Sequence, residues 1–202
     1  KKSETLDVAF ESDDAAKLAA AFGLGVLEEL KATPFELDGR PTTLLDEVGL
    51  VSGVSGGSIL AGYYAAFGDE VFTRFERDFL LVNFQSSLIR DLLLTPQTAY
   101  QLSSPWYGRS NALARRLDTV FRGKTFGDLR AQHSRRRLLV TATDLTTGAP
   151  FEFTPEQFAL ICSDLDSVPL SFAVAASSSV PLLLSPMTVK NYAGSCPPMA
   201  AS

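Results

Sequence analysis

The spacing of apolar residues changes along the chain, and it predicts an alternation of strands and helices. Short apolar runs over residues 48–51 and 138–143 have the length of buried strands. Between them, apolar residues recur at helical spacing over residues 59–67 and again over residues 69–83. Strands that alternate with helices are typical of an α/β fold. The pattern therefore predicts an α/β fold in which a mostly parallel sheet lies between helices.

The longer predicted helices have apolar faces that indicate how they pack. The first helix is expected to end at Pro34, and Phe22, Val26 and Leu30 have the spacing of its buried face. The helix over residues 69–83 carries an aromatic stripe, which is more often part of a core than a lipid site.

Local patterns predict several shorter elements in the rest of the chain. They are a loop over residues 35–43 that turns at Asp38-Gly39, an apolar helix over residues 88–94, a helix capped by Ser110, a strand over residues 151–153 that pairs through a turn at Thr147-Gly148, a small-residue helix over residues 171–179 and a strand over residues 187–189. Residues 95–108, which contain Trp106, form a long loop that is either a binding segment or packed on the core.

The candidate chemistry lies where the apolar run over residues 48–51 meets a glycine-rich turn. Gly53-Val54-Ser55-Gly56-Gly57 follows the run, and an apolar helix that ends at Gly68 follows the turn. A strand, a G-x-S-x-G sequence and a helix make up a nucleophile elbow. The alternative interpretation is an ordinary glycine-rich turn whose serine has no catalytic role. The glycines Gly53, Gly56 and Gly57 remove side chains that would collide in so sharp a turn.

This setting predicts that Ser55 is a nucleophile for acyl transfer. Its hydroxyl lies at the N-terminus of a helix, where unpaired N–H groups and the helix dipole favour the negative charge of an oxyanion. The N–H of Gly56, immediately after the serine, is the expected oxyanion donor.

Composition narrows the class of partner. The chain has 202 residues, of which 46% are hydrophobic and 20% are charged, and this is the composition of one globular domain. A formal net charge of −5 gives no support for a nucleic-acid partner. No apolar run reaches the roughly 18 residues of a membrane-spanning helix. The two cysteines, Cys162 and Cys196, have no metal-ligand spacing and form no C-x-x-C motif.

The elbow and three other segments resemble one family. Gly-Val-Ser-Gly-Gly-Ser followed by Ala-Gly-Tyr-Tyr resembles the nucleophile elbow of patatin-like phospholipases, and residues 19–30, 142–148 and 173–181 resemble segments of bacterial members. The resemblance implies a three-layer patatin-like fold and hydrolysis of lipid acyl esters by a Ser-Asp dyad without histidine. It implies no cofactor, a lipid or phospholipid substrate, and peripheral contact with a membrane.

The sequence departs from the family pattern in two places. The family has a G-G-G-x-R/K loop that contributes oxyanion donors, but residues 12–18 carry no such glycines, and only Lys17 is near the basic position. The family's catalytic aspartate lies in a D-G-G or D-G-A motif, which is absent here, and that motif does not map onto Asp144. We therefore expect one domain, incomplete at its C-terminus, whose catalytic aspartate follows Ser202.

Two alternative functions remain open from the sequence. The missing motifs favour a catalytically impaired lipid-binding or scaffold domain of the same fold. A histidine-dependent esterase would use His133, the only histidine. However, His133 lies among arginines, which disfavour the imidazolium that a catalytic triad must form. We expect His133 to be a dispensable surface residue.

The two cysteines bear on where the protein works. Cys162 and Cys196 flank the predicted elements near the end of the chain and are expected to lie close together, either as a disulfide or as unrelated buried thiols. A disulfide would place the protein in the cell envelope or outside the cell, and free thiols would place it in the cytoplasm.

Overall fold

A computed structural model describes residues 12–82, 109–132, 136–179 and 185–196 of the chain. Several sequence-based predictions concern residues outside these ranges. They are the apolar helix over residues 88–94, the loop that contains Trp106, and the surface position of His133.

Helices and strands alternate along the described residues as the apolar pattern predicted. The α-helices are α1 (Ser12–Ala32), α2 (Gly56–Phe67), α3 (Val71–Phe75), α4 (Arg109–Phe121), α5 (Phe126–Ala131), α6 (Pro155–Leu160) and α7 (Leu170–Ser177). The strands are β1 (Pro34–Leu37), β2 (Arg40–Thr43), β3 (Leu50–Gly53), β4 (Arg137–Thr143) and β5 (Pro150–Glu152). None of the helices in the described ranges has the length and apolar character needed to cross a membrane.

Strand β4 lies at the centre of a three-stranded sheet. It pairs in parallel with β3, where Val51 is opposite Leu138, and antiparallel with β5, where Ala142 is opposite Phe151. The turn that joins β4 to β5 contains Gly148, at a φ of 72°. The predicted α/β fold class is confirmed, and the described sheet contains one parallel and one antiparallel pairing. Strand β3 starts two residues later than the apolar run suggested.

The predicted loop after α1 is instead a β-hairpin. Strands β1 and β2 pair antiparallel, and Leu37 is opposite Arg40. The two residues between them, Asp38 and Gly39, have φ values of 51° and 73°. Positive φ at both central residues matches the twist of a two-residue hairpin, and Asp-Gly is a favoured sequence for it. The turn was predicted correctly, but the strands on either side were missed.

Helix α1 buries a different face from the one predicted. The side chains of Phe22 and Val26 are 76% and 44% exposed, whereas Ala20 is completely buried. A Cβ on Gly23 would lie 2.6 Å from the Leu60 side chain of α2. The prediction was therefore wrong for Phe22 and Val26, whereas Leu30 is partly buried against the core as expected.

Helix α2 is the centre of the core. It contacts α1, β3, β4 and α7, and most of its residues are buried. Its Tyr63 ring lies 5.1 Å from the ring of Phe75, which in turn stacks on Phe79 at 5.4 Å. The Tyr63 hydroxyl donates a hydrogen bond of 2.9 Å to Asp78, because a buried phenol needs a polar partner.

The aromatic stripe after α2 belongs to the core as expected, but its backbone is not one regular helix. The chain passes from a 3₁₀ turn (Gly68–Glu70) through α3 to a π-helical turn (Glu76–Leu80). Phe75 and Phe79 are both almost completely buried. The changes in helical pitch keep these rings directed at α2, which a uniform pattern of 3.6 residues cannot reveal.

Residues 187–189 do not form the predicted strand. Side-chain contacts and single hydrogen bonds hold this part of the chain instead. Ser185 accepts a hydrogen bond from the Ser110 hydroxyl, and the Tyr192 N–H donates to the Ile161 carbonyl at 2.9 Å. Ser110 itself lies inside the first turn of α4 and is not its N-cap.

Cys162 and Cys196 form a disulfide with their Cα atoms 6.0 Å apart. This confirms the prediction that they lie close together. The bridge ties the end of α6 to residues 185–196, which have no strand to hold them.

Removing the disulfide should destabilise the protein. The bridge joins residues 34 positions apart. Closing a loop of that size lowers the conformational entropy of the unfolded chain, and this stabilises the folded protein by about 3–4 kcal/mol. We expect the double variant Cys162→Ser/Cys196→Ser to lose about this free energy of unfolding in urea titrations. A reducing agent should produce the same loss in the unmodified protein and none in the variant. Equal stability of the unmodified protein with and without reductant would contradict the prediction.

Candidate active site

Ser55 occupies the sharp turn between β3 and α2, in a backbone conformation that non-glycine residues rarely adopt. Its φ is 53° and its ψ is −125°, and it is the N-cap of α2. Such a conformation costs on the order of 1–3 kcal/mol and persists only where the surrounding structure enforces it. The structure therefore has the strained strand–serine–helix turn that the sequence predicted.

Steric contacts explain two of the three predicted elbow glycines. A Cβ on Gly53 would lie 2.3 Å from the backbone of Gly57, and a Cβ on Gly56 would lie 2.0 Å from the carbonyl oxygen of Ala16. A Cβ on Gly57 would meet nothing within 4 Å. Gly53 and Gly56 are therefore sterically required, whereas Gly57, although part of the G-x-S-x-G motif, has room for a side chain.

Hydrogen bonds hold both peptide groups of Ser55. Its carbonyl oxygen accepts from the N–H of Ser58 at 2.9 Å and from the Ser58 hydroxyl at 2.6 Å. Its N–H donates to the Oγ of Ser177 at 3.1 Å. Among the residues that the structure describes, none forms a hydrogen bond with the Ser55 Oγ. The backbone is thus fixed while the hydroxyl is left available.

The N–H of Gly56 is available to stabilise an oxyanion. It is the first N–H of α2, and no acceptor for it exists within the described ranges. The first N–H groups of a helix have no partner inside the helix and lie at the positive end of its dipole. Gly56 is thus suited to the donor role expected from the sequence.

Helix α1 occupies the place of the glycine loop that the sequence lacks. Its backbone packs directly on Gly56 through Ala16, and the following residue, Lys17, is half-buried. Regular helix begins at Ser12, so Asp13 and Asp14 belong to its first turn. The N–H groups of this segment belong to a helix, and a glycine-rich oxyanion loop does not form.

A cavity of about 820 Å³ begins beside the elbow. Val54, which precedes Ser55, and Ser177, which accepts its N–H, both line this cavity. The rest of the wall comes from the end of β4, the turn after it, β5 and the irregular segment near the C-terminus, and includes Thr141, Ala142, Asp144, Leu145, Phe151, Phe153, Ile161, Met187, Thr188 and Val189. The lining is mainly apolar with scattered hydroxyl groups, which suits a ligand with a long apolar part.

Asp144 lines the cavity, but its carboxylate is bound within its own turn. Its oxygens accept from the Thr146 N–H at 2.9 Å and from the Thr147 hydroxyl at 2.8 Å. These hydrogen bonds hold the pKa of Asp144 below its usual value, and the one from the Thr146 N–H has the largest effect. A carboxylate with a lowered pKa is a weaker base, and this one forms no described contact with Ser55.

The sequence did not identify Ser177 as the residue that contacts Ser55. The small-residue helix was expected to pack closely because of its composition, and α7 does reach the elbow. Which of its serines would touch Ser55 depends on how α7 is rotated against β4 and α4, which it packs on.

A strained serine between a parallel strand and a buried helix, beside an apolar cavity, is the arrangement typical of α/β serine hydrolases. A family model described as patatin-like phospholipase matches residues 18–195. The chain therefore belongs to the patatin-like phospholipase family, and this membership indicates a lipid acyl hydrolase. Comparisons with curated proteins and with solved structures gave no match.

The steric difference between two adjacent glycines can be tested directly. Gly56→Ala should lower the free energy of unfolding by about 2 kcal/mol or more, because its Cβ would collide with the backbone of α1. Gly57→Ala is the matched control, and it should be neutral or stabilise by up to about 1 kcal/mol, since alanine is favoured over glycine inside a helix. Urea titrations measure both values. Equal losses in the two variants would show that the contact with Ala16 does not constrain the elbow.

Proposed function

We propose that the protein hydrolyses acyl esters of lipids through an acyl-enzyme formed on Ser55. The observation that carries this proposal is the strained backbone of Ser55 beside a largely apolar cavity that its neighbours Val54 and Ser177 line. Strain of this kind clusters at active sites, where it presents a reactive group. Family membership supports a lipid ester as the substrate.

In the proposed reaction, the Ser55 Oγ attacks the ester carbonyl carbon and loses its proton to a base. The carbonyl oxygen becomes an oxyanion, which the Gly56 N–H and the positive end of α2 stabilise. The tetrahedral intermediate then expels the alcohol part of the lipid, which takes up the proton. Water attacks the resulting acyl-serine in the same way, and this releases a fatty acid and restores Ser55.

We assign the role of base to an aspartate, in keeping with the dyad that the family resemblance implies. Serine needs such a base because its hydroxyl is a weak nucleophile at neutral pH. None of the hydrogen bonds formed by the described carboxylates reaches Ser55, and those of Asp144 remain within its own turn. We therefore propose that the aspartate of this dyad lies outside the described residues.

We further propose that the cavity beside the elbow holds the acyl chain. Its volume of about 820 Å³ lies within the range of typical ligand sites, which is roughly 300–1,000 Å³. Phe151, Phe153 and Ile161 supply apolar surface, and the position of Val54 next to Ser55 connects that surface to the reacting carbonyl.

The disulfide between Cys162 and Cys196 supports a location in an oxidising compartment, the cell envelope or the extracellular space. Complete resistance of both cysteines to alkylation in the protein isolated without reductant would agree with this location.

Ser55→Ala should abolish both ester hydrolysis and covalent labelling by a fluorophosphonate, because the variant lacks the attacking oxygen. Ser52→Ala is the matched control, since Ser52 is an exposed serine three residues earlier on β3. That variant should be labelled at the wild-type rate. Labelling that persists in Ser55→Ala would refute the assignment of the nucleophile.

A second candidate function is lipid binding without catalysis. It is favoured by the absence of a described partner for the Ser55 Oγ and by the helix that replaces the glycine loop. A protein that binds a fluorescent fatty acid but is neither labelled nor active would belong to this class. A loss of about 10²-fold or more in His133→Ala would instead indicate a histidine-dependent esterase.

Narrowing the cavity should shift activity towards short acyl chains. Thr188 is exposed and lines the cavity, so Thr188→Trp should displace about two methylene groups of a long chain. At about 0.8 kcal/mol per methylene, this should lower the ratio of dodecanoyl to butanoyl ester hydrolysis roughly tenfold. Lys190→Trp is the control, because Lys190 is exposed on the same segment but does not line the cavity. A ratio that falls equally in both variants, or in neither, would argue against this acyl site.

A further inference from the structure

The backbone of Ser55 receives support from a residue 122 positions later in the chain. The Ser55 N–H donates to the Oγ of Ser177, the last residue of α7, over a distance of 3.1 Å. Ser177 is half-buried and also lines the cavity beside the elbow. Ser177 therefore contacts the turn that carries Ser55 and also lines the cavity beside it.

The start of α2 provides no acceptor of its own for the Ser55 N–H. In a capping box, the side chain of the third helical residue accepts the N–H of the N-cap residue. The third residue of α2 is Ser58, whose hydroxyl donates to the Ser55 carbonyl instead. The local sequence thus fixes one side of Ser55, and α7 fixes the other.

Helix α7 is a rigid support for this hydrogen bond. Ala173, Val174 and Ala175 are completely buried against neighbouring elements. Nearer its start, the Ser171 hydroxyl donates to Asp118 of α4 at 3.0 Å. An acceptor on so tightly packed a helix holds its position relative to the elbow, and this is what positioning a strained residue requires.

We propose that Ser177 is a positioning residue for acyl transfer, which acts by accepting the N–H of Ser55. It holds the turn in the conformation that presents the Ser55 Oγ and keeps the adjacent Gly56 N–H available for the oxyanion. This inference rests on the proposed function of Ser55. The proposed role of Ser177 is exercised through Ser55, so its loss should slow the chemical step and leave the KM for a short butanoyl ester unchanged.

The test compares four variants with the unmodified protein. Ser177→Ala removes the acceptor, Ser177→Cys keeps the size but accepts weakly, and Ser177→Thr keeps the hydroxyl. Ser178→Ala is the matched control, because Ser178 is the next residue along the chain, does not line the cavity, and its hydroxyl forms no hydrogen bond among the described residues. The readouts are the rate and final extent of fluorophosphonate labelling, and kcat and KM for a butanoyl ester.

We expect Ser177→Ala and Ser177→Cys to lose about tenfold or more in labelling rate and in kcat, with KM unchanged and the full extent of labelling reached. Ser177→Thr and Ser178→Ala should remain within about threefold of the unmodified protein. The final extent of labelling counts correctly folded sites, so a purely structural defect would lower the extent and leave the rate per site unchanged.

The outcomes separate this inference from the proposed function. If the unmodified protein is not labelled at Ser55, the proposed function fails and the role of Ser177 fails with it. If Ser55 is labelled but Ser177→Cys reacts at the wild-type rate per site, only the role of Ser177 is overturned. A loss in Ser178→Ala equal to that in the Ser177 variants would also overturn it. The near-isosteric cysteine variant decides the result even if Ser177→Ala does not fold.

Discussion

The conformation of a single residue constrains much of this structure. Ser55 lies at a φ of 53° and a ψ of −125°, where a residue with a Cβ is strained, so the surrounding chain must stabilise the turn. It does so from three directions. Ser58 holds the carbonyl, Ser177 holds the N–H, and the backbone of α1 packs against Gly56. The burial of α2 anchors all three, because the helix that begins at the turn is also the centre of the core.

Interactions between neighbours in sequence explain which elements could be predicted. The limits of α2, the hairpin of β4 and β5 and the Asp38-Gly39 turn depend on glycines and apolar spacing within a few residues, and these predictions were correct or nearly so. The face of α1 and the pitch of the segment after α2 depend on what packs against them. Ala20 is buried and Phe22 is exposed because of the side of α1 that packs on the core, which the size of its apolar residues does not reveal.

The residues of the candidate site also divide into those that follow from the local sequence and those that depend on contacts with distant parts of the chain. The position of Ser55 follows from a motif of five residues, and the structure reproduces its strained turn. The need for Gly56 follows from contact with Ala16, 40 residues earlier, which no local pattern contains. The acceptor on α7 lies still further away. Asp144 shows the opposite case, because its own neighbours Thr146 and Thr147 occupy its carboxylate.

The irregular segment over residues 185–196 has a consequence for how this protein can diversify. It supplies much of one cavity wall, yet its described residues form no strand. Positions such as Thr188 and Val189 can therefore change during evolution without breaking a sheet ladder or disturbing the elbow. The fold separates an elbow that tolerates little variation from a wall that tolerates much. Descendants of one ancestral chain can acquire different preferences while keeping the same chemistry.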